Sequence, residues 1–355
     1  MPLRRPPFFA AAFSLAFGWA CLAQQPPAET TAPSRTTPAA VAAAPGPQNN
    51  TNDQVLKALE IDKWYRMLGD IAEIDEIRYT SLPPHKPANP TAPGARNPLI
   101  IRAMTFIPKF IDRSKKQPFL VFAHQGIHSD FGRDYEYHQV RELVQQGYSV
   151  IAPDYRGSTG YGQGFQNEID YGGSEVEDVF RARAWMLETY DFLDPQRAGM
   201  IGWSHGGMIT LMNILLHPEA YAAAYAGVPV TDLILRLGYQ EQGYIANFTA
   251  PTHIGKTVHA DIQEYVKRSP ITYADKLATP LLIHANTNDE DVNIIEAERF
   301  IAALKAAGKK FESKIYKDAP GGHEFDRLDT KLAREARREI YLFLATYLKP
   351  EKPAK

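Results

Sequence analysis

Short apolar runs alternate with longer segments of helical periodicity along most of this chain. Between Asn52 and Glu76 the apolar residues Leu56, Leu59, Trp64, Met67, Leu68 and Ile71 recur at roughly helical spacing, which predicts one or two amphipathic helices. Ile77–Ser81 and Leu99–Ile107 read as strands separated by a proline-rich loop, and Pro118–Ala123 as a short buried strand. Helix and strand then take turns. Tyr135–Gln146 reads as helix, Ser149–Ala152 as strand, Val176–Thr189 as helix and Ala198–Ile201 as strand, followed by the helix-like run Met208–Leu216. Ala222–Val228 and Pro280–His284 read as strands, Ile294–Ala307 as helix, Phe311–Tyr316 as strand and Lys331–Leu348 as the closing helix. This rhythm predicts an α/β fold, a mainly parallel central sheet with helices on both faces. The stretch Thr231–Ser269 breaks it: long, rich in Tyr, Gln and His, and set between two strands, it is expected to wall a pocket.

The first residues follow a different pattern. Arg4 and Arg5 precede an apolar stretch, Phe8–Leu22, that exits through Cys21-Leu22-Ala23. That combination reads as a secretory signal peptide, with an uncleaved anchor as the alternative, and the stretch is too short for a confident membrane span. Cys21 stands where a lipidated cysteine could stand, although Gly18-Trp19-Ala20 is a poor approach to one. From Gln24 to about Thr51 the chain is Pro, Ala, Thr and Gln, too poor in large apolar residues to order itself. The expected organisation is signal 1–23, spacer 24–51, helical and strand lead-in 52–98 and a main α/β domain 99–350. An exported protein, periplasmic or secreted, is the expectation, with no stable membrane span once the signal is removed.

Composition narrows the chemistry. The 355 residues carry a formal net charge of −2 and no basic stripe, so a nucleic-acid partner is not expected. The single cysteine would leave with the signal, which excludes a disulfide framework, a cysteine nucleophile and thiolate zinc in the mature chain.

Gly202-Trp203-Ser204-His205-Gly206-Gly207 lies between the Ala198–Ile201 strand and the Met208–Leu216 helix. G-x-S-x-G in a strand–turn–helix context is the nucleophile elbow of an α/β-hydrolase; its glycines give the room a strained serine turn needs. A serine hydroxyl is a poor nucleophile at neutral pH and needs a base, itself oriented by a third group. In this fold the chain order is serine, acid, histidine. Asn288-Asp289-Glu290-Asp291 follows an apolar strand, and Pro320-Gly321-Gly322-His323 follows the next one. Ser204, Asp289 and His323 are therefore the expected triad, with Asp291 as the alternative acid. The oxyanion donors are expected to be the amides of His205 and of Gly126, in the His124-Gln125-Gly126-Ile127-His128 loop. His124 and His128 invite a metal reading, but no glutamate stands beside the first histidine as H-E-x-x-H requires, and neither metal nor cofactor is expected. Tyr239 and Tyr244 are candidates for the substrate pocket wall, with core packing as their other role. Arg156, in Asp154-Tyr155-Arg156-Gly157-Ser158, is expected to pair with a carboxylate and hold the top of the sheet.

With these motifs assembled, the chain resembles the catalytic domain of the prolyl oligopeptidase family of serine peptidases. The resemblance rests on His124-Gln125-Gly126, Asp154 to Ser158, Gly160-Tyr161-Gly162, Gly202 to Gly207, Ser269-Pro270, Pro280 to His284 and Gly322-His323, in family order from about Leu99 to Leu348. It implies Ser204 as nucleophile, Asp289 as acid, His323 as base and the Gly126 and His205 amides as oxyanion hole. The implied function is acyl-enzyme hydrolysis of peptide bonds; a carboxylesterase acting on small esters is the alternative, and a non-catalytic binding protein on the same fold a third reading. Gln125 and Ala285 replace glycines usual in the family, and the upstream sequence is expected to hold no β-propeller. Substrate and oligomeric state are not legible.

Overall fold

Alternate residues of the central strands face two different cores, and that alternation organises the molecule. In a computed structural model that describes residues 48–354, with side chains from Asn52 onward, the strand Gln117–Ala123 sends Phe119, Val121 and Ala123 into one apolar cluster and Leu120 and Phe122 into the other. A strand buried on both faces reads as an unbroken apolar run, which is why this segment and its neighbours showed no polar alternation.

The elements follow in the order α1 (Gln48–Leu68), β1 (Ala72–Thr80), β2 (Ile100–Pro108), β3 (Gln117–Ala123), α2 (Asp134–Gln146), β4 (Ser149–Asp154), α3 (Gln163–Gln166), α4 (Ser174–Thr189), β5 (Leu193–Trp203), α5 (His205–Leu216), β6 (Ala223–Gly227), α6 (Leu233–Leu237), α7 (Gln242–Thr249), α8 (Ile262–Lys267), β7 (Leu281–Asn286), α9 (Ile294–Ala306), β8 (Glu312–Tyr316) and α10 (Lys331–Leu348). The eight strands form one sheet in the order β1-β2-β4-β3-β5-β6-β7-β8. β1, β2 and β4 pair antiparallel and the remaining neighbours are parallel. The carboxyl ends of β3 through β8 therefore share one edge, where loops bring together residues far apart in sequence. Helix α5 runs behind that edge, with His205 through Leu215 all buried.

The expected helix over Asn52–Glu76 ends early. α1 stops at Leu68, and Ala72–Glu76 belongs to β1. Ala72 and Ile74 are buried while Glu73 and Asp75 are exposed, a period of two that continues past the helical stretch. Gly69 and Asp70 are the break between the two. At its other end α1 begins at Gln48, within the segment expected as spacer; the remainder of the spacer and the signal segment lie outside the described residues.

The lead-in is part of the fold. Trp64 is fully buried against Phe106, Phe131 and Tyr137. Lys57, almost completely buried, bridges Asp130 (2.7 Å) and Asp154 (2.8 Å). The Asp53 carboxylate accepts the amides of Gly160 and Gly162. α1 thus supports two loops at the carboxyl edge of the sheet.

Candidate active site

Ser204 joins β5 to α5 with φ 56° and ψ −121°, a conformation L-residues rarely adopt and one that costs roughly 1–3 kcal/mol. Surrounding bonds hold it: the Ser204 amide donates to Gly227 O (2.9 Å), and its carbonyl accepts from Met208 (3.0 Å) and Val230 (3.4 Å). The turn closes only because Gly206 lacks a side chain; a Cβ there would lie 2.3 Å from Ala123 O. The His205 amide opens the helix and, as a first-turn N–H, has no intrahelical acceptor. The His205 ring turns to the interior, packed on Tyr171 with Nε2 3.4 Å from the buried Glu175 carboxylate.

His323 follows β8 in a loop whose shape depends on contacts from β7. The Asn286 side chain donates to Ala319 O (3.1 Å) and Gly322 O (2.9 Å) and accepts from the Ala319 amide (3.0 Å). Gly322, at φ 53°, leaves room for the Glu290 carboxylate, which accepts the His323 amide at 3.1 Å. Two further bonds tie this loop to the core beneath the elbow: Trp203 Nε1 (2.7 Å) and Tyr225 Oη (2.8 Å) both donate to Asp326. The Arg327 guanidinium donates to His323 O.

Asp289 and Asp291 occupy different sides of the imidazole. Nδ1 of His323 lies 2.7 and 2.9 Å from the two Asp289 oxygens. A carboxylate only accepts, so Nδ1 carries a proton, and the tautomer this selects for a neutral ring has its lone pair on Nε2. The Asp289 carboxylate also accepts the amides of Asp291 (2.9 Å) and Val292 (2.8 Å), and its side chain is 2% exposed. Asp291 Oδ2 stands 3.7 Å from Nε2 instead. Nε2 is buried and has no hydrogen-bond partner among the described residues; no bond joins it to Ser204 Oγ.

The loop after β3 is built differently. His124 is fully buried, stacked on Tyr155 at 4.0 Å, with Nε2 2.9 Å from Ser158 Oγ and Nδ1 3.0 Å from Gln125 O. Burial lowers its pKa to about 4, so the ring stays neutral. Tyr155 Oη donates to the carbonyls of His124 (3.1 Å) and Gly126 (2.8 Å). Gly126 adopts φ 75°. Gln125 Nε2 donates to Tyr135 Oη. His128 Nδ1 lies 2.9 Å from Gly157 O. Among the described residues no group of three His, Cys, Asp or Glu side chains is arranged to hold a metal ion. Arg156 pairs with Asp178 at 2.7 Å, both side chains fully buried, and donates to Leu82 O and Pro83 O, so it does tie the sheet top together.

Tyr239 and Tyr244 meet in a network that the residue pattern did not reveal. Arg236, 1% exposed, donates to Tyr244 Oη (2.7 and 3.0 Å), Tyr239 Oη (2.8 Å), Glu296 (3.1 Å) and Asp291 (2.7 Å). Both tyrosine hydroxyls are therefore bonded to the arginine that holds Asp291. Asn286, Tyr155 and Arg236 are the site-shaping residues that sequence reasoning missed. Only Tyr155 carried a signal, through the glycine-rich motif around it.

Eight strands in this order, with a strained turn leading into a buried central helix, make this an α/β-hydrolase fold. The profile of the prolyl oligopeptidase family matches residues 134–351. The chain belongs to that family. The uncharacterized peptidase YuxL of Bacillus subtilis (strain 168) is 31% identical over 222 residues, covering 62% of this chain and 33% of that protein. Human dipeptidyl peptidase 8 is 28% identical over 226 residues, 60% of this chain and 24% of that protein. Acylamino-acid-releasing enzyme of Arabidopsis thaliana is 29% identical over 249 residues, 67% of this chain and 31% of that protein. Among solved structures, Pyrococcus horikoshii acylaminoacyl peptidase superposes with a TM-score of 0.64 at 20% identity, covering 83% of this chain and 44% of that one; at that identity the likeness is one of fold. The chain spans about a quarter to a third of the length of these curated relatives.

Proposed function

We propose that this chain is a serine hydrolase that cleaves peptide (amide) bonds through an acyl-enzyme. The observation that carries the reading is His323: a buried imidazole with Asp289 on Nδ1 and an open Nε2, on the same sheet edge as the strained Ser204. In this reading Nε2 takes the Ser204 proton as Oγ attacks the substrate carbonyl. Asp289 holds the tautomer and stabilises the imidazolium that forms. The amides of His205 and Gly126 receive the oxyanion, each such donor contributing about 3 kcal/mol. The imidazolium then protonates the leaving amine, and a water activated by the same nitrogen releases the acyl group from Ser204. The peptidase names carried by relatives support amides over esters as the natural substrates.

The test uses a fluorophosphonate probe with a peptide p-nitroanilide and short p-nitrophenyl esters, on the wild type and on Ser204→Ala. The expected result is probe labelling and amide turnover by the wild type only. Ester turnover without amide turnover would replace the peptidase by a carboxylesterase. Equal activity in the alanine variant would remove the serine from the mechanism.

Residues 1–23 are proposed to export the enzyme to the periplasm or beyond, on the strength of their charge and hydropathy pattern. The N-terminus of protein recovered from the exporting cell checks this. No helix among the described residues is long and apolar enough to cross a membrane.

A further inference from the structure

The Asp289–Asp291 loop presents one carboxylate oxygen that the protein itself does not use. Asp291 is held at every other atom that can bond. Its amide donates to Asp289, its carbonyl accepts from Gln240 (2.9 Å) and Arg236 (3.2 Å), and Oδ1 accepts from Arg236 (2.7 Å). Oδ2 receives no hydrogen bond among the described residues and points toward His323 Nε2 at 3.7 Å, itself buried and unpartnered. The Asp291 side chain is 43% exposed, so a ligand can reach it.

Among the described residues Arg236 is the one lysine or arginine bonded to Asp291, and it is shared with the fully buried Glu296. Its donors are committed to Tyr239, Tyr244, Glu296 and Asp291, which leaves none for an anionic ligand. Asp289 and Glu290 add two further carboxylates beside His323. The open oxygen thus stands in a group of three carboxylates around the imidazole, with the Arg327 guanidinium bonded to the His323 carbonyl. A reacting carbonyl sits about 3 Å from the base, so Oδ2 lies within roughly 7 Å of it, a distance that one to two residues span.

We propose that Asp291 is a specificity-determining residue that binds a cationic amine of the substrate, at or one residue from the scissile carbonyl on its acyl side. The enzyme then prefers peptides with a free ammonium group there over the same peptides acylated at that nitrogen. This rests on the reading of Ser204 and His323 as nucleophile and base, and it adds the substrate class. Asp291 is a rigid acceptor: three bonds hold its main chain and a fourth holds Oδ1, so little ordering cost falls on binding.

The experiment measures second-order phosphonylation of Ser204 in the full chain by intact mass, which needs no turnover. Two diphenyl aminoalkylphosphonates are compared, one with a free amine and one N-acetylated. The wild type is expected to react at least tenfold faster with the free amine. Asp291→Asn, which keeps an oxygen for Arg236, is expected to reduce that ratio tenfold or more, and Asp291→Glu to restore part of it. In the wild type alone the ratio is expected to fall as salt rises from 0.05 to 0.5 M, since the carboxylate is partly exposed; this arm stands whatever the variants do to folding. A merely structural role for Asp291 would change both rates together and leave the ratio unmoved. Equal rates in the wild type, or a ratio unchanged in Asp291→Asn, would overturn the proposal while leaving the serine hydrolase intact. Failure of both probes to label Ser204 would overturn the hydrolase reading and this inference with it.

Discussion

His124 and His323 follow two strands of the same sheet edge, both buried, and they are built in opposite ways. His124 has a partner on each nitrogen and a stacked Tyr155 against its face. His323 has a carboxylate bonded to one nitrogen and, among the described residues, no hydrogen bond on the other. Burial therefore does not distinguish the imidazole proposed as base from a scaffold one; an oriented ring with one open nitrogen does. An open nitrogen is not sufficient either. Among the described residues His205 and His284 have no hydrogen bond at either nitrogen, only carboxylates at 3.4 Å (Glu175) and 3.7 Å (Glu339), so no bond fixes the tautomer. In the proposed mechanism the two loops divide the labour: one fixes the backbone that would receive an oxyanion, the other holds the base.

The sharpest way to break this comparison is to delete each ring. His323→Ala should lower kcat on a peptide p-nitroanilide by about 10^5–10^6-fold, with a urea midpoint close to that of the wild type. Comparable loss from both histidine deletions would erase the distinction. Asp289→Asn should cost about 10^4-fold in kcat, because an amide can favour the wrong tautomer; a loss under tenfold would transfer the orienting role elsewhere. His124→Ala should instead act on stability. It removes one partner of the Ser158 hydroxyl, which keeps its bond to Tyr155 O (2.6 Å), and leaves a cavity under Tyr155; the cost is about 3 kcal/mol, read from urea unfolding. Tyr155→Phe keeps the stacking and removes the two bonds to the His124 and Gly126 carbonyls. The expected loss is about 1–2 kcal/mol, and kcat should fall more than KM rises if those carbonyls fix the oxyanion loop.

The smallest effect concerns acid stability. His124, His253 and His284 each have a pKa lowered to about 4 from the usual 6.5, chiefly by burial. The unfolded chain takes up these protons below about 6.5, and the folded protein resists them until about 4. Stability is therefore full above pH 6.5 and is lost as pH falls through that window. His284→Phe, among Tyr225 and Tyr316, should make the loss between pH 7 and 4.5 shallower. An unchanged slope in urea titrations would mean that His284 is not held neutral.

Much of this was legible in residue order. The strand–helix alternation from Pro118 onward, the elbow at Ser204 and the glycines before His323 are local patterns. Periodicity and backbone freedom act over a few residues, so they can be read from a few residues. The helix expected through Glu76 failed for the same reason: Ala72 and Ile74 are apolar at positions that fit both periods, and only pairing with β2 makes them strand.

What the sequence by itself determined is the set of elements, their order and the identity of the chemically capable side chains. Which carboxylate meets Nδ1 and which faces Nε2, the Asn286 clamp on the histidine loop, the Arg236 network around Tyr239 and Tyr244, and the support of both edge loops by α1 were decided by tertiary structure alone. Each depends on partners tens to hundreds of residues apart, such as Trp203 with Asp326 or Asp53 with Gly160. A hydrogen bond is decided within tenths of an ångström, and no pattern along the chain carries that information until the sheet has brought the two ends together.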